Sequence, residues 1–255
     1  MSTTLFIVCP LVFLAGFIDS IAGGGGLISI PAYFFAGLPT HNALGTNKFS
    51  AACGTTFAAL AFSRNKALCW NIAAVSALAS FGASFLGAKL ALHLNEQILK
   101  IIILAVIPLV ALIVFFKKDF GKKVAADASF PESKKYRLAC LIGIIIGFYD
   151  GLIGPGTGTF AIIAYSALMK YDLVTASGNA KVLNLASNYA SMATYFFHGK
   201  IIFAIGIPAA LCGIAGNWLG SSLAIKKGNR FIKTIMIVVL VLLIVKTLLD
   251  VLKIG

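Results

Sequence analysis

Charged residues are scarce in this chain of 255 residues, and their scarcity excludes an ordinary soluble protein. They make up 11% of the sequence, whereas a soluble domain carries about 25%. Hydrophobic residues reach 60%, and the mean hydropathy is +0.98. Several apolar runs have roughly the 20 residues that a membrane-spanning helix requires. The sequence therefore predicts an all-α polytopic membrane protein.

The chain also lacks the groups of side chains that bind metals or perform enzyme chemistry. Its five cysteines are isolated, and no pair of its three histidines has the spacing of metal ligands. The glycine-rich run 154–158 follows no predicted strand and precedes no Gly-Lys-Ser/Thr, so it does not have the pattern of a phosphate-binding loop. No Ser/His/Asp set is supported. We expect no metal, no cofactor and no enzyme activity.

Acidic residues are the rarest charged class, with eight against 21 Lys and Arg, which gives a net charge of +13. In a soluble protein this excess would indicate nucleic acid as a partner. Seven of the basic residues, however, lie in the single stretch 117–137, and most others lie in short connections. Cytoplasmic loops of membrane proteins have this pattern. We therefore expect contact with lipid and not with nucleic acid.

An unusual acid- and glycine-containing sequence occurs twice. Gly16-Phe17-Ile18-Asp19 leads into four glycines at 23–26, and Gly147-Phe148-Tyr149-Asp150 leads into Gly154-Pro155-Gly156-Thr157-Gly158. The offset is 131 residues at Asp19 and Asp150, and it becomes 133 at Lys48 and Lys181. The sequence thus predicts a transmembrane repeat at 1–116, a polar cytoplasmic linker at 117–135 and a second transmembrane repeat at 136–255. Such duplication is typical of secondary transporters.

The apolar runs predict about eight long transmembrane helices and two short broken or re-entrant helices. In the first half we expect helices at 4–22, 27–37 (short), 41–63, 69–92 and 97–116. In the second half we expect 136–153, 159–171 (short), 173–197, 200–225 and 229–252. If all the basic connections lie on the cytoplasmic side, the halves are inverted, with five crossings each and the N-terminus outside. A parallel four-plus-four arrangement with re-entrant short helices is the alternative.

The two glycine runs are candidate anion sites. Glycine allows the backbone to unwind, and a helix that restarts presents free N–H groups and the positive end of its dipole. Close packing of helices through small residues is the alternative interpretation. The candidate residues for binding a substrate here are Gly24, Gly25, Gly26, Gly156, Thr157 and Gly158.

Four charged residues at matched positions lie inside apolar helices, where an unpaired charge is costly. Asp19 and Asp150 are candidates for coupling a proton or organising the glycine turns, or alternatively for capping the broken helices. Lys48 and Lys181 are candidates for binding an anion. The alternative is a pair of salt bridges with the two acids, and a bridge that opens on binding would satisfy both interpretations. Neutral hydrogen bonds could come from Asn47, Asn179, Thr46, Asn184, Ser187 and Asn188.

These paired motifs, together with Ala43-Leu44-Gly45-Thr46-Asn47-Lys48, resemble the TauE/SafE family of sulfite exporters and toluenesulfonate uptake permeases. The resemblance covers nearly the whole chain. It implies a multi-pass transporter in the bacterial inner membrane that carries sulfur-containing oxyanions such as sulfite, sulfonates or sulfoacetate, driven by ion gradients. It fixes neither substrate nor direction. Asn179 precedes Lys181 by two residues, whereas Asn47 directly precedes Lys48, so the two asparagines need not have equivalent roles.

The leading hypothesis is therefore a secondary anion transporter that works by alternating access. A passive anion channel, a transporter of other small organic anions, and a membrane enzyme or scaffold are the alternatives. The two buried acids are consistent with protons as the coupling ion. The oligomeric state is left open, with a homo-oligomer among the options.

Overall fold

The computed structural model describes residues 2–105 and 131–252, and these residues form helices joined by short turns. The first half contains α1 (Ser2–Ala22), α2 (Gly26–Phe35), α3 (Thr40–Arg64), α4 (Trp70–His93) and α5 (residues 96–105). The second half contains α6 (Glu132–Leu152), α7 (Thr157–Met169), α8 (Leu173–Phe197) and α9 (Phe203–Leu252). The all-helical class predicted from the sequence is confirmed for the described residues.

Several predicted boundaries shift. The helix expected from 136 begins at Glu132, directly after Pro131, so residues 132–135, predicted to belong to the linker, form its first turn. The two helices expected at 200–225 and 229–252 form one element, α9, which Gly228 interrupts with φ 72° and ψ −162°. The remainder of the helix expected at 97–116 and most of the predicted linker lie outside the described residues.

Left-handed glycines end the first helix of each half. Gly23 has φ 81° and follows α1, and Gly154 has φ 92° and follows α6. A residue with a Cβ is strained at such angles, so glycine is the residue that allows the chain to turn there. The short helices α2 and α7 start within three residues of these turns. The sequence thus correctly predicts a broken helix in each half.

Small residues allow the long helices to pack closely. On α6, a Cβ added to Gly147 would lie 2.6 Å from the Cα of Ser80 on α4. On α1, a Cβ added to Gly16 would lie 2.7 Å from the carbonyl oxygen of Gly213 on α9. Small residues at helix interfaces are typical of proteins packed within lipid. The two contacts are related by the offsets of 131 and 133, so equivalent positions of the two halves pack alike.

Large apolar side chains cover the outside of the bundle. Phe6 and Phe197 are each 81% exposed, and Leu78 is 78% exposed. Exposed large apolar side chains also lie on every other long helix, α3, α6 and α9, and exposed apolar surface on so many helices indicates contact with lipid. Three described segments are long and apolar enough to span a membrane by length and composition, namely Thr4–Ala22, Trp70–His93 and Phe203–Val238. The count of about eight long spans and the inverted orientation stay predictions.

Candidate functional site

The two glycine turns meet in the interior of the bundle. The Thr159 backbone N–H donates to the carbonyl oxygen of Gly23 at 3.0 Å, and the Thr159 hydroxyl donates to the carbonyl oxygen of Ala22 at 2.9 Å. A Cβ added to Gly158 would lie 2.6 Å from the Cα of Gly23. The breaks in the two halves therefore form one structure in which backbone lies directly against backbone.

Lys48 forms a buried ion pair with an acid of the other half. Its Nζ donates to Oδ2 of Asp150 at 2.7 Å and to Oδ1 of Asn188 at 3.3 Å. Lys48 is 3% exposed and Asp150 is 2% exposed. Charges this deeply buried require a partner. The ion pair connects α3 to the end of α6. Asp150 lies seven residues before Thr157 at the start of α7.

The second carboxylate oxygen of Asp150 contacts the glycine turn. The Thr157 hydroxyl lies 2.7 Å from Oδ1 of Asp150 and also 2.7 Å from the carbonyl oxygen of Gly154. Thr157 is the first residue of α7. Asp150 therefore connects the cation on α3 to the first residue of the broken helix.

The matched residues form the equivalent pair. Lys181 on α8 donates from Nζ to Oδ2 of Asp19 at 2.6 Å, and the backbone N–H of Gly25 donates to Oδ1 of Asp19 at 3.1 Å. The Lys181 side chain is fully buried, whereas the Asp19 side chain is 16% exposed. Each lysine thus pairs with the acid of the opposite half. These are the salt bridges that the sequence offered as the alternative to an anion site.

Most of the predicted binding residues line one cavity of about 50 Å³. A water needs about 10–15 Å³ on this measure, so the volume corresponds to about three to five waters. A small oxyanion of four or five heavy atoms is of this size. The predicted residues that line the cavity are Asp19, Gly25, Gly26, Asn47, Lys48, Asp150, Thr157 and Gly158, together with Asn184 and Asn188.

Four of the ten predicted substrate-binding residues do not line this cavity, namely Gly24, Gly156, Asn179 and Lys181, and neither do Thr46 and Ser187 among the residues predicted to add hydrogen bonds. Gly24 belongs to the turn before α2, where its carbonyl accepts from the Leu27 N–H at 3.1 Å. Gly156 precedes α7 in the left-handed conformation, with φ 83°. Lys181 is covered completely in its pair with Asp19. These residues therefore lie outside the wall of the cavity.

Asn179 caps a helix. Its Oδ1 accepts from the backbone N–H of Cys69 at 2.9 Å, just before α4 begins. Thr46, 133 residues earlier, accepts through Oγ1 from the N–H of Ile202 at 3.0 Å, just before α9 begins. Cys69 and Ile202 are themselves 133 residues apart. The structural equivalent of Asn179 is therefore Thr46, and Asn47 has no asparagine counterpart.

The sequence analysis missed several polar residues of the cavity wall. Ser29, Ser50 and Thr55 line it from α2 and α3, and Asn217 lines it from α9. Within the part of the chain that the structure describes, the Oδ1 atoms of Asn47 and Asn217 are buried without a hydrogen-bond partner. The sequence signal for Asn217 was a polar amide inside the apolar run that precedes Lys226 in α9. Unpaired amide ends at a cavity wall indicate that the cavity receives a polar ligand or water.

Broken helices that meet at buried ion pairs within an apolar bundle are the architecture of membrane transporters. Residues 8–247 match the family described as "Sulfite exporter TauE/SafE". The chain belongs to this family.

Similar proteins carry the same general name. "Probable membrane transporter protein ORF9" of Sinorhizobium sp is 34% identical over 93% of this chain and 90% of its own length. "Probable membrane transporter protein YfcA" of Escherichia coli K12 is 33% identical over 97% of this chain and 93% of its own length. A "Probable membrane transporter protein" of Haemophilus influenzae is 34% identical, with 93% and 92% covered. No solved structure matches the chain. The protein is a multi-pass membrane transporter.

Proposed function

We propose that this protein is a secondary transporter that carries small sulfur-containing oxyanions, such as sulfite, sulfonates or sulfoacetate, across the bacterial inner membrane by alternating access. Two findings support the substrate class. The family description names sulfite export, and the cavity has a volume suited to an oxyanion the size of sulfite and a wall that includes amide, hydroxyl, ammonium and carboxylate groups.

The observation that carries the proposal is the position of Lys48. Its ammonium is buried, lines the cavity, and is paired with an acid that lines the same cavity. An incoming anion displaces the Asp150 carboxylate and takes the Lys48 Nζ in its place. The exchange keeps the ammonium paired throughout, so no buried cation is left without a partner.

Neutral groups orient the bound anion. The Oδ1 atoms of Asn47 and Asn217 are unpaired at the wall. A half-turn of the Asn47 amide presents its NH₂ group instead, whereas the Asn217 NH₂ group already donates to the carbonyl oxygen of Gly213 at 2.9 Å. Gly26 adds a backbone N–H group at the N-terminus of α2, where the helix dipole favours negative charge. Directional donors of this kind discriminate an oxyanion from a halide ion.

The repeat provides the means of alternating access. The pairs Lys48–Asp150 and Lys181–Asp19 are equivalent under the offsets of the sequence repeat, and so are the helix caps made by Thr46 and Asn179. Matched contacts of this kind support two structurally equivalent halves, and we propose that these halves are inverted, with eight long and two short helices. In this arrangement the two halves exchange conformations to expose the site on alternate sides.

The proposal is tested by the flux of radiolabelled sulfite into proteoliposomes. We expect saturable uptake that is accelerated by unlabelled sulfite on the other side, and its loss in Lys48→Ala/Lys181→Ala. Lys226→Ala removes an exposed lysine of α9 and is the matched control. Flux that does not saturate and shows no such exchange would indicate the passive channel instead. Wild-type flux in the folded double variant would refute the site.

A further inference from the structure

We propose that Asp150 carries one proton together with each bound anion, that the Thr157 hydroxyl accommodates this proton, and that Asp19 remains ionised throughout. This inference rests on the proposed anion transport. It assigns different roles to two acids that occupy equivalent positions in the sequence.

The first argument is the hydrogen count at Thr157. Its hydroxyl has one hydrogen, yet its oxygen lies 2.7 Å from two acceptors, Oδ1 of Asp150 and the carbonyl oxygen of Gly154. When Asp150 is ionised, the hydroxyl can donate to only one of these acceptors, and no hydrogen lies between the hydroxyl oxygen and the other acceptor. A proton on Oδ1 completes the chain, because Asp150 then donates to Thr157 and Thr157 donates to Gly154. The arrangement has room for one more proton.

The second argument is that Asp19 has no such arrangement. Its Oδ1 accepts from the backbone N–H of Gly25 at 3.1 Å, and a backbone N–H can only donate. A proton on this oxygen would find no acceptor there and would weaken the bond, because a protonated oxygen accepts less strongly than a carboxylate oxygen. The position that matches Thr157 at the offset of 131 is Gly26, which has no hydroxyl. The hydroxyl that permits proton uptake therefore exists beside one acid and not beside the other.

The third argument is the charge of the site. Two ammonium groups and two carboxylates are paired with each other, so their net charge is zero. A monovalent anion added to the cavity would leave an excess negative charge in a buried place, which is costly. A proton taken from solution by Asp150 restores neutrality and releases the Lys48 Nζ for the anion. When the anion leaves, the carboxylate re-forms its pair with Lys48 and returns the proton to solution.

The surroundings of Asp150 favour this assignment. Tyr149, next to Asp150 on α6, donates its hydroxyl to the carbonyl oxygen of Pro155, and the Tyr195 hydroxyl on α8 is buried without a hydrogen-bond partner among the described residues. From α4, the side chains of Ser80 and Ser84 donate to carbonyl groups of α8. Lys48 on α3 is the charged group that pairs with Asp150, so neutralising Asp150 releases this one cation.

The experiment is isothermal titration calorimetry of the detergent-purified protein with methanesulfonate in buffers of different ionisation enthalpy. Methanesulfonate stays ionised at neutral pH, so each proton taken up belongs to the protein. Sulfite is the second probe, with its own protonation subtracted. We expect uptake of about one proton per bound anion in the wild type. Asp150→Asn should take up none, and Thr157→Val should reduce uptake about twofold or more, because the relay is lost.

Two further variants separate coupling from structure. Thr157→Ser keeps the hydroxyl and should restore uptake to the wild-type value. Asp19→Asn should still take up about one proton per bound anion, whatever its affinity. Binding without proton uptake in the wild type would overturn the proton assignment while leaving anion transport intact. Uptake that persists in Asp150→Asn and disappears in Asp19→Asn would overturn it as well. If neither methanesulfonate nor sulfite binds to the wild type, both the proposed function and this inference are refuted.

Discussion

Removing the cation from the Lys48–Asp150 pair should destabilise the protein more than removing both charges. In Lys48→Met, the Asp150 carboxylate, 2% exposed, keeps the Thr157 hydroxyl as its one side-chain partner among the described residues. Breaking a buried pair by deleting one member costs about 3–5 kcal/mol, whereas replacing both members with apolar residues is often neutral. Lys48→Met/Asp150→Leu should therefore recover at least about 2 kcal/mol of the loss.

The second pair provides an internal comparison. In Lys181→Met, the Asp19 side chain is 16% exposed and still accepts from the Gly25 N–H. The loss of unfolding free energy should therefore be smaller in Lys181→Met than in Lys48→Met. The measurement is the free energy of unfolding from reversible SDS titration in mixed micelles, at one pH for all variants. A loss below about 1 kcal/mol in Lys48→Met, or additive losses in the double variant, would refute the reasoning from buried charge.

Three further predictions concern the cavity and its frame. Ala51→Leu adds three carbons at the cavity wall and should abolish sulfite binding by calorimetry while the protein stays monodisperse; undiminished affinity would contradict the position of the site. Asn179→Thr, which copies the equivalent Thr46, should keep the KM for sulfite flux, whereas Asn47→Ala should raise it about tenfold, the effect of about 1.4 kcal/mol; equal effects would show that both asparagines contact the anion. Gly23→Ala combines a φ of 81° with a collision against the backbone of Gly158 and should cost about 2–4 kcal/mol of unfolding free energy in SDS titration, so a neutral result would contradict the contact between the turns.

The broken helices and the four charges within apolar helices could be predicted from the sequence, because each depends on a local conflict. Glycines within apolar runs are poor helix formers, and charges within such runs require partners, so the motifs indicated a site before any fold was known. The partner of each charge could be narrowed only to a choice between two acids. The structure selects the pairs that cross between halves, Lys48 with Asp150 and Lys181 with Asp19.

The role of Asn179 could not be predicted from its closeness to Lys181. It depends on the approach of Cys69, 110 residues away, whose N–H requires an acceptor at the start of α4. The residues that line the cavity could not be predicted from the sequence for the same reason. Lys48 and Lys181 have equivalent positions in their helices, and which ammonium lines the cavity depends on how α9 packs beside α1 and α3.

Local hydropathy also fails to identify the interior helices as possible membrane spans. The 25-residue helices α3 and α8 are long enough to span a bilayer, but neither is among the three apolar spans. Their buried faces carry the polar residues of the site, such as Asn47, Lys48 and Asn184. Because these side chains face protein and not lipid, a low mean hydropathy is compatible with a central position in the bundle.

The most direct test of the central claim is a structure of the protein with selenite, the selenium analogue of sulfite, located by its anomalous scattering. We expect a selenium peak in the cavity beside the Nζ of Lys48 and the amide of Asn47, with the Lys48 ammonium moved away from Asp150. A peak elsewhere, or a fully intact Lys48–Asp150 pair at a selenite concentration that saturates transport, would contradict this claim.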